Sequence, residues 1–317
     1  PRSTLFPYTT LFRSGAGEVV KDETDKKTGI QIISLYGNKK KPSRADLENI
    51  EVLIFDIQDV GVRFYTYIST LSYVMEACAE TDIELIVLDR PNPNGHFVDG
   101  PVLKPGFNSF VGMHPVPLVH GMTIGEYAQM LKGENWLGTK KKCKLKIIPC
   151  SNYSHTSRYL LPVKPSPNLP NMLAVYLYPS LGLFEGTIMS VGRGTSFPFQ
   201  VVGHPKYPDK SYFFIPEKQE FTNLSPLFEK DSCFGIKIDS LAVEAKIDLS
   251  YLIDCYQKMD VGDAFFNSFF DKLAGNSLLR NQLINRVPEE EIRLSWQAGL
   301  DAFKAIRKKY LMYPDFE

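Results

Sequence analysis

Two runs of consecutive apolar residues constrain this chain more than any other feature. Val52–Phe55 (VLIF) ends on Asp56, and Leu85–Leu88 (LIVL) ends on Asp89. Runs this short and uniformly apolar suit strands of a parallel sheet covered on both faces. Between them, Thr66–Glu80 places Ile68, Leu71, Met75 and Ala79 at helical spacing. Strand, helix and strand at this distance make a βαβ unit. The pattern continues with Thr123–Leu131, a helix whose Thr123 N-cap and Glu126 form a capping-box arrangement, and with Leu145–Ile148 as another short strand. The expected fold class is therefore α/β.

Leu161–Pro170 (LPVKPSPNLP) holds four prolines in ten residues. Proline supplies no N–H, so this segment is neither helix nor central strand. It is the expected division between two lobes, 15–165 and 166–317. The second lobe mixes strand-like runs, Phe234–Ile238 and Leu241–Glu244, with a closing helix after Pro288. There Ile292, Trp296, Leu300 and Phe303 form one apolar face, and Lys304, Arg307, Lys308 and Lys309 favour the C-terminal end. Ahead of the first βαβ unit, Gly15–Leu47 is polar and turn-rich, with one strand-like stretch at Ile30–Tyr36.

Lys+Arg and Asp+Glu are both 36, so no global basic field is available to collect nucleic acid. No run of about 18 apolar residues predicts a membrane span. The five cysteines are scattered and odd in number, which predicts core thiols, with a Cys143–Cys150 disulfide as the alternative. The five histidines do not fall at metal-ligand spacing, and neither GxxxxGK[ST] nor GxGxxG occurs, so neither a metal nor a nucleotide cofactor is expected.

In open α/β sheets, ligands bind beyond the carboxyl ends of the strands. The segment after VLIF carries Asp56, Asp59, Arg63, Tyr65 and Tyr67; the segment after LIVL carries Asp89, Arg90 and Asn92. Each aspartate alone is as well explained by capping a helix or bracing a loop, but two such loops in register suggest a shared cleft. Farther on, Leu183–Thr195 (LFEGTIMSVGRGT) contains Glu185 after an apolar pair and Arg193 between two glycines. Burial of Glu185 would raise its pKa, as a general acid needs; a hairpin turn with a solvent-facing arginine is the plainer alternative. Of the histidines, His120 in VHGMT is the most site-like, and a structural role for it stays open.

Pro1–Ser14 (PRSTLFPYTTLFRS) has no heptad, no strand alternation and no signal-peptide layout. It matches, residue for residue, the translation of a string resembling a short-read sequencing adapter. It is read here as an artefact joined to a gene that has lost its start, so that any native leader lay upstream.

In order along the chain, FDIQDVGVRFYTYISTL, VLDRPNPNG, VDGPVL, VHGMTIGE, SPNLPN, YPSLGLFEGTIMSVGRGTSFPF and SWQAGLDAFKAIRKKYL resemble the exo-acting β-N-acetylmuramidases of peptidoglycan recycling, long catalogued as a domain of unknown function. The resemblance implies a Rossmann-like N-terminal lobe lacking its first strand–helix segment, a smaller α+β C-terminal lobe, and an active site between them. It implies hydrolysis of terminal, non-reducing MurNAc from peptidoglycan fragments, and a periplasmic or secreted location. A non-catalytic muropeptide-binding module is the alternative. The catalytic candidates are Asp56, Asp59 and Glu185. Substrate-facing candidates are Glu18, Arg63, Tyr65, Tyr67, Arg90, Asn92, His120, Asn168 and Arg193, with one arginine expected on the lactyl carboxylate. Two departures stand out: a Pro-Glu-His-Gly motif expected shortly before Gly17-Glu18 is missing, and Gln200 stands where relatives are expected to carry an acid.

Overall fold

The computed structural model describes residues 22–35, 37–218, 225–240 and 245–317. A small antiparallel pair, β1 (Glu23–Thr24) and β2 (Gln31–Ile32), opens the described chain. The N-terminal lobe is then built as expected from β3 (Val52–Phe55), α1 (Tyr67–Thr81), β4 (Glu84–Leu88), α2 (Ile124–Gly133) and β5 (Lys144–Ile148). The three strands form a parallel sheet in sequence order, with Leu53 opposite Leu85 and Leu85 opposite Leu145.

The sheet departs from expectation in one respect. Burial along β3 alternates, with Leu53 and Phe55 buried while Val52 and Ile54 are 41% and 53% exposed. Strand neighbours put their side chains on opposite faces, and α1 and α2 pack together against only one of them. Among the described residues the other face, which carries Val52, Ile54, Lys146 and Ile148, is uncovered.

Helix α2 begins with the predicted capping box: the Glu126 N–H donates to Thr123 Oγ1 at 3.3 Å, and the Thr123 N–H to Glu126 Oε2 at 2.9 Å. Asp89, straight after β4, adds to this helix start. Its carboxylate accepts from the Gly125 N–H, the Thr123 hydroxyl and the Tyr313 hydroxyl at 2.7, 2.7 and 2.5 Å. The bracing alternative therefore describes Asp89.

The C-terminal lobe starts with α3 (Met172–Leu181), capped by the Asn171 side chain and followed by a 3-10 stretch, Gly182–Gly186. Its antiparallel sheet orders β6 (Val201–His204), β8 (Cys233–Lys237) and β7 (Phe213–Phe214). The strand-like run Leu241–Glu244 lies outside the described residues. Four helices follow: α4 (Ser250–Met259), α5 (Phe270–Ala274), α6 (Leu278–Ile284) and α7 (Glu289–Arg307). Ile292, Trp296, Leu300 and Phe303 of α7 are buried as the spacing required.

The lobes share one continuous core running from Leu47 to Phe303. Polar ties reinforce it. Asp99 of the first lobe accepts from the Ile247 N–H at 2.8 Å and from Arg293 at 3.1 Å. Beyond α7 the tail returns to the first lobe, where the Met312 N–H meets Glu126 at 2.8 Å and buried Arg307 donates to the Gly121 carbonyl. All five cysteines are free thiols. No helix among the described residues is long and apolar enough to cross a membrane.

Candidate active site

The carboxyl ends of β3 and β4 are joined by polar side chains. Arg90, just past β4, donates through Nε to Asp56 Oδ1, just past β3, at 2.7 Å, and its Nη2 stands 2.6 Å from the same oxygen in an ion pair. Gln58 Nε2 stitches the same two loops, donating to the carbonyls of Asp59 and Pro91 at 2.8 Å each. The chain then turns inward at Gly61, whose φ of +76° suits glycine. A Cβ there would meet the Asn92 amide at 2.3 Å. Asn92 is held in turn, donating to the Met122 carbonyl at 2.9 Å and accepting from the Asn94 N–H at 2.9 Å.

This turn buries Asp59, which is 4% exposed. Its Oδ2 accepts the Gly61 N–H at 2.7 Å. Burial pushes the Asp59 carboxyl up to about 7, against the opposing pull of the Gly61 and Val60 N–H groups. Val119 runs antiparallel beside Val62, bringing His120 to the same place. His120 Nε2 lies 3.8 Å from Asp59 Oδ2. Burial, with Arg307, His155 and Arg63 nearby, pushes the His120 imidazole down to about 3. The ring is therefore neutral at neutral pH, and the contact with Asp59 is not an ion pair.

The second lobe supplies a carboxylate–guanidinium pair of its own. Glu185 leaves the 3-10 stretch and accepts from Arg193 Nε and Nη2 on one oxygen, at 2.9 and 2.6 Å. Gly192 and Gly194 flank that arginine at φ +74° and +85°. The guanidinium stands 5.2 Å from the centre of the Phe199 ring. Phe199 itself is buried at φ +56°, a conformation bulky residues rarely adopt and one that marks stored strain.

An aromatic chain links the two lobes here. Phe199 meets Tyr178 edge-on at 4.9 Å, Tyr178 meets Tyr65 at 6.0 Å, and Tyr65 meets Tyr67 at 5.1 Å. The Tyr65 hydroxyl donates to the Pro165 carbonyl at 2.7 Å, so the proline-rich segment meets this side. The Asn168 N–H donates locally to Ser166 Oγ, and no hydrogen bond among the described residues ties Asn168 to the residues above. Tyr178 is buried, which raises its pKa, and its hydroxyl feels the charges of Glu185, Arg193 and Asp59. The aromatic chain thus runs between the loops that carry the carboxylate–arginine pair of each lobe, with buried Asp59 close enough to act on Tyr178, and this part of the lobe interface is the candidate site. Among the described residues no group of three or more His, Cys, Asp and Glu is placed to hold a metal.

The family model for the N-terminal part of the exo-β-N-acetylmuramidase NamZ matches residues 11–173, and the C-terminal one matches residues 176–313. The chain belongs to the NamZ family. Peptidoglycan β-N-acetylmuramidase NamZ of Bacillus subtilis is 39% identical over 324 residues, covering 94% of this chain and 76% of that protein. A crystal structure of a DUF1343 family protein from Bacteroides fragilis is 47% identical with a TM-score of 0.87, covering 92% of this chain and 82% of the other. A second DUF1343 structure from that organism is 29% identical, with a TM-score of 0.80 and the same coverage.

Within this NamZ-family chain, the fold pairs Asp56 with Arg90, Glu185 with Arg193, Tyr65 with Tyr67, and Asp59 with His120. It separates Arg63 from them. That side chain is wholly buried and donates to the carbonyls of Pro101, Val116 and Leu273 at 2.8, 2.7 and 2.8 Å. A guanidinium so enclosed does not face a ligand. Asn92 is likewise interior, 2% exposed and engaged with backbone. Glu185 is not enclosed by its apolar neighbours as expected: Leu183 and Phe184 point into the core, while its own side chain is 24% exposed beside Arg193. Glu18 lies outside the described residues.

Sequence reasoning missed Tyr178, Phe199 and Gln58. Tyr178 sits inside a uniformly apolar helix, MLAVYLYPSL, where nothing local marks one tyrosine from another. Gln58 had a signal, being the polar residue between two aspartates at a strand end.

Proposed function

We propose that this chain is an exo-lytic β-N-acetylmuramidase that releases the terminal, non-reducing MurNAc residue from peptidoglycan fragments at the inter-lobe site described above. The observation that carries the reading beyond family membership is Asp59. A general acid needs a proton at neutral pH, and Asp59, the most buried of the three candidate carboxylates, is pushed up to about 7. In this reading Asp59, itself interior, reaches the sugar through a water, which passes its proton to the glycosidic oxygen as the C1–O bond breaks. Glu185, at the cleft, supports the positive charge developing at C1. The acetamido oxygen of the sugar can share that work, as in other N-acetylhexosaminidases. Water then adds at C1, and its released proton returns to the carboxylate left at Asp59.

MurNAc differs from GlcNAc by a lactyl carboxylate. With Arg63 interior, Arg193 is the best placed cation, since 40% of its side chain faces solvent and its guanidinium lies 5.2 Å from the Phe199 ring centre. Tyr67, beside Tyr65 at the mouth of the aromatic chain, offers a face to the sugar ring.

One observation favours a binding module instead: the partly exposed carboxylates, Asp56 and Glu185, are each already matched by an arginine. The test uses a chromogenic β-MurNAc glycoside. It compares this chain with a form in which the front segment of the Bacillus subtilis relative replaces Pro1–Ser14. Turnover in either form that falls at least 100-fold in Asp59→Asn supports the hydrolase reading. Saturable MurNAc binding without turnover in both folded forms supports the binding module.

A further inference from the structure

Three buried polar atoms around Asp59 find no hydrogen-bond partner among the described residues: Asp59 Oδ1, His120 Nε2 and Tyr127 OH. More than nine in ten buried polar groups are satisfied in folded proteins, so three such atoms at one place require a physical reason. They do sit at one place. The His120 and Tyr127 ring centres are 5.2 Å apart, His120 Nε2 is 3.8 Å from the Asp59 carboxylate, and Tyr127 feels the charges of both Asp59 and Arg63.

His120 and Asp59 do not bond directly, because the 3.8 Å from His120 Nε2 to Asp59 Oδ2 is beyond hydrogen-bond range, and neither Asp59 Oδ1 nor the Tyr127 hydroxyl has a partner among the described residues. The tautomer of His120 narrows the choice. Its Nδ1 accepts the Met122 N–H at 3.3 Å, so in the neutral ring the hydrogen resides on Nε2. The cluster thus presents an N–H donor from His120, a hydroxyl from Tyr127 that donates or accepts, and an oxygen of Asp59. A single buried water commonly makes about three hydrogen bonds to groups of this kind.

We propose that Asp59 Oδ1, His120 Nε2 and Tyr127 OH share one internal water, and that His120 and Tyr127 are positioning residues that hold Asp59 and set the pH at which it releases its proton. The functional meaning rests on the reading of Asp59 as the acid of the site; the arrangement itself does not. The water accepts from His120 Nε2 and donates to Asp59, and the Tyr127 hydroxyl completes its shell. Donors aimed at the carboxylate favour the ionised form, so they oppose the upward push of burial. The other groups that interact with Asp59 are Tyr65 from its own segment and Tyr178 from α3, while Arg63 acts on Tyr127. Arg307 of α7 and His155 stand behind His120.

The test reads Asp59 directly, by ¹³C NMR titration of its carboxyl carbon, assigned through the signal lost in Asp59→Asn. Tyr127→Phe removes one hydroxyl without changing shape. It is expected to raise the Asp59 midpoint by about one pH unit and to lower the thermal midpoint, as the loss of one real hydrogen bond requires. His120→Leu is expected to act likewise, while His120→Gln, which can place an N–H donor near the imidazole Nε2, returns the midpoint towards that of the parent. An Asp59 midpoint unmoved by Tyr127→Phe overturns the proposal, whatever the variant does to stability. Because no turnover is required, this failure is distinct from that of the functional reading, which Asp59→Asn with full turnover would signal.

Discussion

Removing the guanidinium of Arg63 separates a structural role from a ligand-binding one, and the size of the effect follows from its partners. Arg63→Met keeps an unbranched apolar side chain in the core and deletes every donor. Three carbonyls lose a partner, at 2.7 to 2.8 Å. The Val116 oxygen is not stranded, because it also accepts the Leu103 N–H at 3.1 Å. The Pro101 and Leu273 oxygens have no second donor among the described residues. Two stranded buried carbonyls at about 1–3 kcal/mol each give a loss of about 2–6 kcal/mol. The variant also no longer desolvates an unpaired cation, which offsets part of this and favours the lower half of the range. Against a total stability of about 5–15 kcal/mol that remains a large fraction. Urea unfolding followed by tryptophan fluorescence suits the measurement, since Trp136 reports on the first lobe and Trp296 on the second. Leu273 belongs to the second lobe, so both signals should move together to lower urea. Arg63→Met within about 0.5 kcal/mol of the parent, the range of surface substitutions, would refute the reasoning. Loss of discrimination between MurNAc and GlcNAc glycosides at unchanged stability would return Arg63 to the cleft.

Asp59→Asn should change how stability depends on pH. The folded carboxyl titrates at about 7 against an ordinary 3.8, so the fold retains a proton that the unfolded chain has released. Its contribution is fully present below about pH 4, is lost as pH rises through about 7, and amounts to about 4 kcal/mol. Urea curves at pH 5 and pH 8 should differ by less in Asp59→Asn than in the parent, and parallel pH dependence in the two proteins would contradict this. Two glycine substitutions form a matched pair: Gly61→Ala brings positive φ and a 2.3 Å clash with Asn92, whereas Gly106→Ala brings φ +90° into open space. Gly106→Ala should cost about 1–2 kcal/mol and Gly61→Ala distinctly more, by thermal unfolding; equal losses would mean that the Asn92 contact carries no weight.

What was legible in the sequence was local. The strands around α1, the Thr123–Glu126 capping box and the apolar face of α7 each depend on spacing within a few residues, and each is present. The uncovered sheet face was not legible, because VLIF reads the same whether one side or both are packed. For Glu185, the apolar LGLF before it described the direction of its neighbours, not of its own side chain, and a 3-10 turn reverses direction within one or two residues.

The two strand-end aspartates make the same point about chemistry. Asp56 and Asp89 follow near-identical runs and stand near an arginine, yet their fates differ through partners far away in sequence. Asp89 is claimed by Tyr313, which arrives from the returning C-terminal tail, and by the start of α2. Asp56 pairs with Arg90 from the adjacent strand end and stays at the surface. Asp59, only three residues on, is sealed in by a turn whose geometry depends on Gly61 yielding to Asn92. A carboxyl acquires a perturbed pKa from desolvation and from the few groups around it. Spacing in the chain therefore nominates acids at a strand end, and the packing of remote segments decides which of them keeps a proton.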